Sequence, residues 1–397
     1  MYLKNGSYFL LTSLILISCG RSYDPPPSDL LPNGSILAAL SGPNVISLGI
    51  NGSHCLSNSA VNVPGVSVKI CSTTGSNCIT VPYLLVDTGS TGLRIFKSVL
   101  EPLISNNTIQ PVTLNGNPLA ECVQFGDKTN QWGPVYQAGV ILGGESVVSV
   151  PIQVIDPNYA TMSGGCAQNR STTDQNPDQT GFNGILGINL SAQDCRSCIG
   201  MYYTCNGNSC TRQTPPLSNQ LTNPISKLAV DNNGAVLMLP SIPFGGVRAI
   251  EGGYLVLGID TQNNNSSSQV TSYAADSSGY FLTDYQGQTI EAFLDSGSNA
   301  YYFPSSTNEC QYGFYCPSSL STMGANIISN DQKKSSNIPF FISNAENLFQ
   351  TPNKVFLELG GSGAQFDWGL PFYIGRNVFV GIENTSSSLG QGPYWGF

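Results

Sequence analysis

The same four-residue pattern occurs twice in this sequence: Asp, a hydroxyl residue, Gly and a second hydroxyl residue, at positions 87–90 and 295–298. Each copy follows a short apolar run, Leu-Leu-Val before Asp87 and Ala-Phe-Leu before Asp295. Taken singly, either Asp is a turn residue whose side chain caps nearby backbone. Two copies that each leave a strand-like run are much harder to obtain by chance. They predict two carboxylates that face each other, which restricts the fold to one that joins two distant turns.

Most of the remaining sequence predicts strands, because short runs of β-branched and aromatic residues are bounded by Gly, Pro or Asn. The predicted strands are 65–70, 79–86, 147–155, 235–240, 254–259 and 354–359. Helical periodicity is weak, and the best short candidates are 98–104 and 224–230. Loops rich in Asn, Ser and Thr occur at 167–180, 262–272 and 384–392. The predicted fold class is mainly β.

Composition narrows the function classes. Only 10% of residues are charged, the net charge is −9, and 40% are apolar, so the chain has material for a packed core. An acidic balance argues against nucleic acid and against a polybasic membrane surface. His54 is the single histidine and lies in a polar loop, which predicts a surface position and leaves no Ser-His-Asp arrangement. No phosphate-binding or H-E-x-x-H motif occurs, so we expect no cofactor and no metal.

The N-terminus has the pattern of a targeting segment. Lys4 precedes an apolar run at 8–17 that is too short to span a bilayer comfortably, and Leu-Ile-Ser-Cys-Gly follows. This box resembles that of bacterial lipoproteins, in which Cys19 would be acylated as the first mature residue; the alternative is a plain signal peptide with an incidental Cys. We expect 1–19 to be the signal and 20–60 a tether and N-terminal segment. The prediction is a lipid-anchored protein of the bacterial cell envelope.

Cysteine usage also fits export. The chain has twelve Cys, and removing Cys19 leaves an odd number. Two pairs enclose short turns, and a third group has the spacing C-x2-C-x6-C-x4-C, for which a zinc knuckle is the alternative to disulfides. The disulfide candidates are Cys71 with Cys78, Cys310 with Cys316, and Cys195, Cys198, Cys205 and Cys210. One thiol of Cys55, Cys122 and Cys166 is expected to stay unpaired.

Each Asp motif is followed, after a region of strands, by two apolar residues and Gly: I-L-G ending at Gly187 and Y-I-G ending at Gly375. With these matches the chain resembles the pepsin-type aspartic proteases, and among them a bacterial group of exported pepsin-like proteins. The resemblance runs from about residue 66 to the C-terminus. It implies two pseudo-symmetric β-barrel-like lobes, 61–235 carrying Asp87 and 236–397 carrying Asp295, with the active site at their junction.

The resemblance also implies roles for site residues. Asp87 and Asp295 would be the catalytic pair that activates water for peptide hydrolysis. The supporting residues would be Thr88, Gly89, Ser90, Ser296, Gly297, Ser298, Gly187 and Gly375. A hairpin flap would close over the substrate, and its stretch here is 122–144.

The flap departs from the family. Phe125 stands where the family has a Tyr, so a hydroxyl is missing, and Trp132 or Tyr136 is a candidate substitute. The alternative is a hairpin whose aromatics only pack on the sheet. A second departure is that no Lys or Arg lies between Arg21 and Lys69, so no basic prosegment is expected.

Three functions remain open at this point. The first is a monomeric, lipid-anchored endopeptidase with a polypeptide substrate and no cofactor. The second is a catalytically silent pepsin fold used for binding or surface interaction. The third is an unrelated β-sandwich, which predicts that Asp87 and Asp295 lie far apart.

Overall fold

Strands from the beginning, the middle and the end of the chain build one sheet in the computed structural model, which describes residues 40–56, 60–195 and 200–397. The predictions for 1–19, with Cys19, for most of 20–60 and for Cys198 fall outside these residues. Strands make up 42% of the structure and helices 12%, which confirms the mainly β class. No helix in the described part is long and apolar enough to cross a membrane.

The strands before residue 230 include the two that flank the first Asp motif. They are β1 (Val45–Ile50), β2 (Pro64–Cys71), β3 (Ile79–Asp87), β4 (Thr91–Phe96), β5 (Gln110–Pro111), β6 (Thr113–Leu114), β7 (Asn117–Gln124), β8 (Asn130–Ile141), β9 (Val148–Ile155), β10 (Gly184–Ile188), β11 (Tyr202–Asn206) and β12 (Ser209–Gln213).

The later strands include the two that flank the second Asp motif. They are β13 (Gly234–Met238), β14 (Ile250–Leu257), β15 (Ser272–Ala274), β16 (Phe281–Tyr285), β17 (Gln288–Leu294), β18 (Tyr301–Phe303), β19 (Ser321–Ile328), β20 (Ser335–Ile342), β21 (Gly360–Ser362), β22 (Phe366–Trp368), β23 (Asn377–Gly381), β24 (Ser386–Ser387), β25 (Gly390–Gln391) and β26 (Tyr394–Gly396).

Helices are few and short. The α-helices are α1 (Lys97–Ser105), α2 (Gly164–Gln168), α3 (Pro177–Thr180), α4 (Ala345–Phe349) and α5 (Leu370–Tyr373). Single 3-10 turns lie at Gly52–His54, Arg170–Thr172, Leu217–Asn219, Pro224–Lys227 and Gln311–Gly313. The prediction of a helix at 98–104 is confirmed by α1, which buries Leu100 and Leu103 on one face. At 224–230 there is only the 3-10 turn, because Leu228 already has extended backbone angles.

A continuous ladder connects the two halves of the chain. β1 pairs with β2 on one side and with β14 on the other, and β14, β13, β23, β26 and β15 follow as antiparallel neighbours. A second sheet of seven strands contains β16 to β22. The largest hydrophobic core takes residues from both halves, including Val86, Leu294 and Trp368. The two Asp motifs therefore leave strands that share one apolar interior.

One predicted strand is wrong. Segment 354–359 forms no ladder, and Val355 makes only an isolated bridge to Val247. Its backbone groups are satisfied singly by several distant segments. The Asn62 amide bonds both the N–H and the carbonyl of Phe356, at 2.8 and 2.9 Å, and backbone groups of Val247, Tyr301 and Ser343 bond other residues of the segment. A buried amide that occupies the backbone groups removes the need for a neighbouring strand.

Both predicted local disulfides are confirmed, and the third cysteine group also forms a disulfide, whose pairing was not predicted. Cys71 is joined to Cys78, Cys205 to Cys210 and Cys310 to Cys316. A further bond joins Cys122 to Cys166, and Cys195 is also disulfide-bonded. The sulfurs of Cys205 and Cys210 are therefore not available for the alternative zinc knuckle. Cys310 and Cys316 lie near Glu346, but their bond likewise removes them as metal ligands.

Candidate active site

The two Asp motifs form turns of the same construction, which we call the first Asp loop (87–90) and the second Asp loop (295–298). The first connects β3 to β4, and the second connects β17 to β18. In the first half, β10 lies beside both flanking strands, parallel to β3 and antiparallel to β4. In the second half, β22 is parallel to β17 and antiparallel to β18. The sequence repeat is thus also a repeat of strand topology.

Each carboxylate receives two hydrogen bonds from its own loop. The N–H of Gly89 donates to Asp87 Oδ1 at 2.7 Å, and the Ser90 hydroxyl donates to Asp87 Oδ2. In the second loop the N–H of Gly297 donates to Asp295 Oδ1 at 2.8 Å. The Ser298 hydroxyl donates to Asp295 Oδ2 at 2.8 Å. Donors at the same two positions hold both carboxyl groups in matching orientations.

Thr88 and Ser296 connect the loops by reciprocal hydrogen bonds. The N–H of Thr88 donates to Ser296 Oγ at 3.1 Å, and the N–H of Ser296 donates to Thr88 Oγ1 at 2.9 Å. Each hydroxyl then donates onward to the strand that enters the other loop, Thr88 to the Leu294 carbonyl at 3.0 Å and Ser296 to the Val86 carbonyl at 2.7 Å. Both side chains are fully buried. Every polar atom of the junction is satisfied only when the two loops are together.

The two carboxyl groups consequently meet. A Cβ atom added to Gly89 would lie 2.6 Å from Asp295 Cγ, and one added to Gly297 would lie 2.8 Å from Asp87 Oδ1. Glycine is required at both positions by this close approach of the opposite side chain. The third alternative, which predicts distant Asp residues, does not fit this geometry.

Proximity has an electrostatic consequence. Removal from water raises the pKa of Asp295 to about 8, and the charge and hydrogen bond of Asp87 add to the effect. The Ser298 hydroxyl and the Gly297 N–H act in the opposite direction because they stabilise the ionised form. Near neutral pH the pair therefore holds a proton, because the raised pKa keeps the Asp295 carboxyl protonated.

The glycine strands confirm one prediction and correct the other. Gly187 pairs with Asp87, and a Cβ there would lie 2.9 Å from the Ser90 carbonyl oxygen. Gly375 has no such position, since its N–H bonds the Leu239 and Pro240 carbonyls and its φ is +78°.

The residue under the second loop is Gly369, directly after β22. A Cβ on Gly369 would lie 2.8 Å from the Ser298 carbonyl oxygen and 2.0 Å from that of Ala300. The pattern of two apolar residues and Gly missed it because Asp367 interrupts the apolar run before it. The signal available for Gly369 was its place between a strand and a helix that starts with Leu-Pro.

Sequence reasoning also missed Tyr373. It is fully buried at the end of α5, and its hydroxyl lies 2.7 Å from Thr88 Oγ1. Because the single hydrogen of Thr88 goes to Leu294, the phenol is the donor. Tyr373 thus braces the first loop from the second half, although its sequence context suggested only a strand.

The hairpin of β7 and β8 occupies the predicted flap. Phe125 starts its turn, with its N–H bonded to the Thr129 carbonyl at 2.9 Å. Burial is the main cause that raises the pKa of the Tyr302 phenol, which lies on β18 after the second loop. The charges of Asp367, Asp127 and Asp295 raise that pKa further, and Asp127 belongs to the hairpin turn.

Neither substitute for the missing flap hydroxyl lies free in the hairpin. Trp132 is fully buried, and its indole N–H donates to the Tyr159 carbonyl at 2.6 Å. Tyr136 is half-buried. Burial is the main cause that raises the pKa of its phenol, while the charge of Lys97 lowers that pKa and the charge of Asp156 raises it. These two aromatics pack as the alternative interpretation of the hairpin describes.

His54 is half-buried rather than a surface residue, with its Nε2 2.9 Å from Glu251 Oε2. Glu251 lies on β14 and His54 lies in the 3-10 turn Gly52–His54, so this pair involves neither Asp loop.

The fold and site define a mainly β protein with two joined D-[ST]-G-[ST] loops. The chain belongs to the family described as Protein of unknown function (DUF3443), which matches residues 41–397. Both loops, their glycine strands and the hairpin fall inside that range. No curated protein matches the sequence.

The junction generates a stability prediction. Ser296→Ala removes the acceptor for the Thr88 N–H and the donor to the Val86 carbonyl, both buried, so it should lower the free energy of unfolding by about 1–3 kcal/mol for each group left unsatisfied. Urea unfolding would measure this loss, with the exposed Ser278→Ala as control. Equal stability of the two variants would show that the reciprocal bonds do not hold the loops together.

Proposed function

We propose that this protein is an aspartic endopeptidase with two pepsin-like lobes, which hydrolyses peptide bonds with a water molecule activated by Asp87 and Asp295. The observation that carries the proposal is the meeting of two identically constructed loops, each of which gives its carboxylate one N–H and one hydroxyl donor. Structural turns do not need such a symmetric pair of buried acids. The buried, coupled carboxyls are the kind of perturbed groups that cluster at functional sites.

The chemistry follows from the single shared proton. The ionised carboxyl accepts a proton from water as the water oxygen attacks the peptide carbonyl carbon, while the protonated carboxyl donates to the carbonyl oxygen. Proton transfer to the peptide nitrogen then allows the carbon–nitrogen bond to break, which yields a free carboxylic acid and a free amine. The carboxyl pair ends with one proton, as it began. In this scheme the two carboxyl groups are the only ionisable groups of the protein that take part.

The rigidity of the loops supports this role. General acid–base catalysis depends on placing both carboxyls within hydrogen-bond reach of one water. Thr88 and Ser296 fix the distance between the loops, and Gly187 and Gly369 let the strands beneath approach closely. We expect the hairpin of β7 and β8 to cover the substrate, and an extended polypeptide is the substrate that would lie between the hairpin and the carboxyl pair.

Asparagine substitutions test the pair directly. Asp87→Asn and Asp295→Asn should each reduce peptidase activity by at least about a thousandfold, because neither variant can hold both an acid and a base. Cleavage of denatured casein, followed by release of new amino groups, is the measurement. Asp178→Asn, an exposed carboxylate on α3, is the matched control.

Inhibitors complete this test. A statine-type transition-state mimic should block cleavage by the wild-type protein, whereas a chelator should have no effect. Activity that survives either Asn substitution would place the chemistry elsewhere.

The pH dependence has a definite sign. The pKa of Asp295 is raised to about 8, so the shared proton is present below that value and is lost above it. The rate constant kcat/KM should therefore fall as the pH rises through about 8, since two ionised carboxyls leave no acid. A profile measured from pH 5 to pH 10 that is flat across this range would contradict the assignment of the acid to the pair.

The competing candidate is a silent pepsin-like fold that binds a partner at the envelope surface. The observation in its favour is the flap, in which Phe125 has no hydroxyl, Trp132 donates to the Tyr159 carbonyl and Tyr136 packs partly buried against the core. A wild-type protein that binds the statine-type mimic and cleaves no denatured protein would favour this candidate.

We further propose that the protein is anchored to the bacterial cell envelope by acylation of Cys19, on the strength of the Leu-Ile-Ser-Cys-Gly box after a short apolar run. More than one acyl chain is needed for stable anchoring. Cys19→Ala should shift the protein from the membrane fraction to the soluble fraction or block its maturation. Fractionation and N-terminal sequencing measure this, and an unchanged membrane-bound N-terminus would overturn the anchor.

A further inference from the structure

A buried guanidinium connects the first Asp loop to the hairpin of β7 and β8. Arg94 lies in the middle of β4, the strand that leaves this loop, and its side chain is 1% exposed. Its Nη1 donates to the carbonyl of Thr91, the first residue after the loop, at 2.8 Å. Its Nη2 donates to Glu121 Oε1 on β7 at 2.8 Å, and the Glu121 side chain is fully buried. One planar group therefore bonds the exit of the loop and a strand of the hairpin at the same time.

A second acid completes this buried cluster. Asp194 Oδ2 lies 3.4 Å from Arg94 Nη2, and the Asp194 side chain is 3% exposed. The Tyr202 hydroxyl donates to the Asp194 carboxylate, 2.8 Å from both of its oxygens, and accepts from the N–H of Leu221 at 2.8 Å. Tyr202 lies on β11, and β11 with β12 extends the hairpin to four strands. One cation thus faces two carboxyl groups, so removal of one acid leaves a one-to-one ion pair.

The bond to Glu121 is the direct link between Arg94 and the hairpin. Arg94 Nε and Glu121 Oε2 have no hydrogen-bond partner in the part of the chain that the structure describes. The neighbouring disulfide of the hairpin, from Cys122 to Cys166, runs to α2 instead. The disulfide therefore holds the hairpin to another segment, whereas Arg94 relates it to the loop that carries Asp87.

The second half of the chain provides an internal comparison. Arg94 pairs with Gln153 on the parallel strand β9, and Tyr302 pairs in the same way with β21 after the second Asp loop. Gln153 Nε2 also reaches Glu121, donating to its carbonyl at 3.0 Å. The Tyr302 hydroxyl instead donates to Asn299 Oδ1 at 2.7 Å, within its own segment. Strand formation at this position therefore requires no cation, and the cation occurs in the half that carries the hairpin of β7 and β8.

We propose that Arg94 is a positioning residue that acts through Glu121 and holds the hairpin of β7 and β8 in a fixed place relative to the first Asp loop. Its role in substrate binding rests on the proposed function, whereas the link between hairpin and loop does not. The bonds between Thr88 and Ser296 fix the two Asp loops without Arg94. Loss of the link should therefore weaken binding beneath the hairpin more than it slows the chemical step.

Glu121→Leu tests the link, because it removes the acceptor and leaves Arg94 paired with Asp194. Hydrogen–deuterium exchange of the free protein, read by mass spectrometry, should show the amides of 117–133 exchanging about tenfold faster, since a hydrogen bond between charged groups is lost from the closed state. Exchange in the second Asp loop should stay the same. Glu121→Gln keeps the acceptor oxygen and is the matched control, expected within about threefold of the wild type.

Kinetic constants separate positioning from a general loss of structure. Glu121→Leu should raise KM by about tenfold with kcat within about threefold of the wild type, and Glu121→Gln should restore KM. Arg94→Lys keeps the charge without the planar fork, so it should behave like Glu121→Leu in both measurements. It also provides the comparison if Glu121→Leu does not fold.

Unchanged exchange of 117–133 in these variants would overturn the inference. So would equal effects of Glu121→Gln and Glu121→Leu, or a fall in kcat without a rise in KM. Because exchange is measured without substrate, it decides on the link even for a wild-type protein that cleaves nothing, and that lack of cleavage would count against the proposed function alone.

Discussion

The reciprocal bonds between Thr88 and Ser296 are the contact on which the site depends. Each backbone N–H is satisfied by the other residue's hydroxyl, and each hydroxyl reaches the strand that enters the opposite loop. Both side chains are buried, so separation of the loops would take these partners from two backbone N–H groups and two backbone carbonyl groups. Each buried polar group left unsatisfied costs about 1–3 kcal/mol. The junction therefore has one low-energy arrangement, and the carboxyl groups of Asp87 and Asp295 are carried into contact by it.

Bringing two acids together has a cost that the loops limit. Each carboxylate receives a backbone and a hydroxyl donor, which stabilises charge, while burial and the neighbouring acid destabilise it. The result is an intermediate state in which the pair retains one proton up to a pKa of about 8. Asp367 makes the environment unequal, because the second half of the site carries an acid where the first half carries Ile185. Two loops of the same construction thus hold an electrostatically asymmetric site.

Local sequence signals predicted elements well where backbone groups bond to one another within a helix, a strand ladder or a turn. The strand-like runs that lead into both Asp loops, α1 and the two short-range disulfides Cys71–Cys78 and Cys310–Cys316 were predicted correctly. Prediction failed where single contacts from distant segments replace a strand ladder: in 354–359 the Asn62 amide bonds Phe356, and Val355 makes an isolated bridge to Val247. It also failed at Gly369, because a polar Asp367 in the apolar run hid the strand and the Y-I-G ending at Gly375 matched the pattern better.

The sequence alone determined that two Asp loops exist, that each follows a strand and that the fold is mainly β. Those features depend on residue types a few positions apart, and such spacing is visible along the chain. Only the tertiary structure decided which glycine lies under the second loop and that Tyr373 braces the first. These outcomes depend on the register between strands more than seventy residues apart in sequence, as between Leu294 and Trp368. Register is fixed by how both faces of a sheet pack, and no short stretch of sequence contains that information.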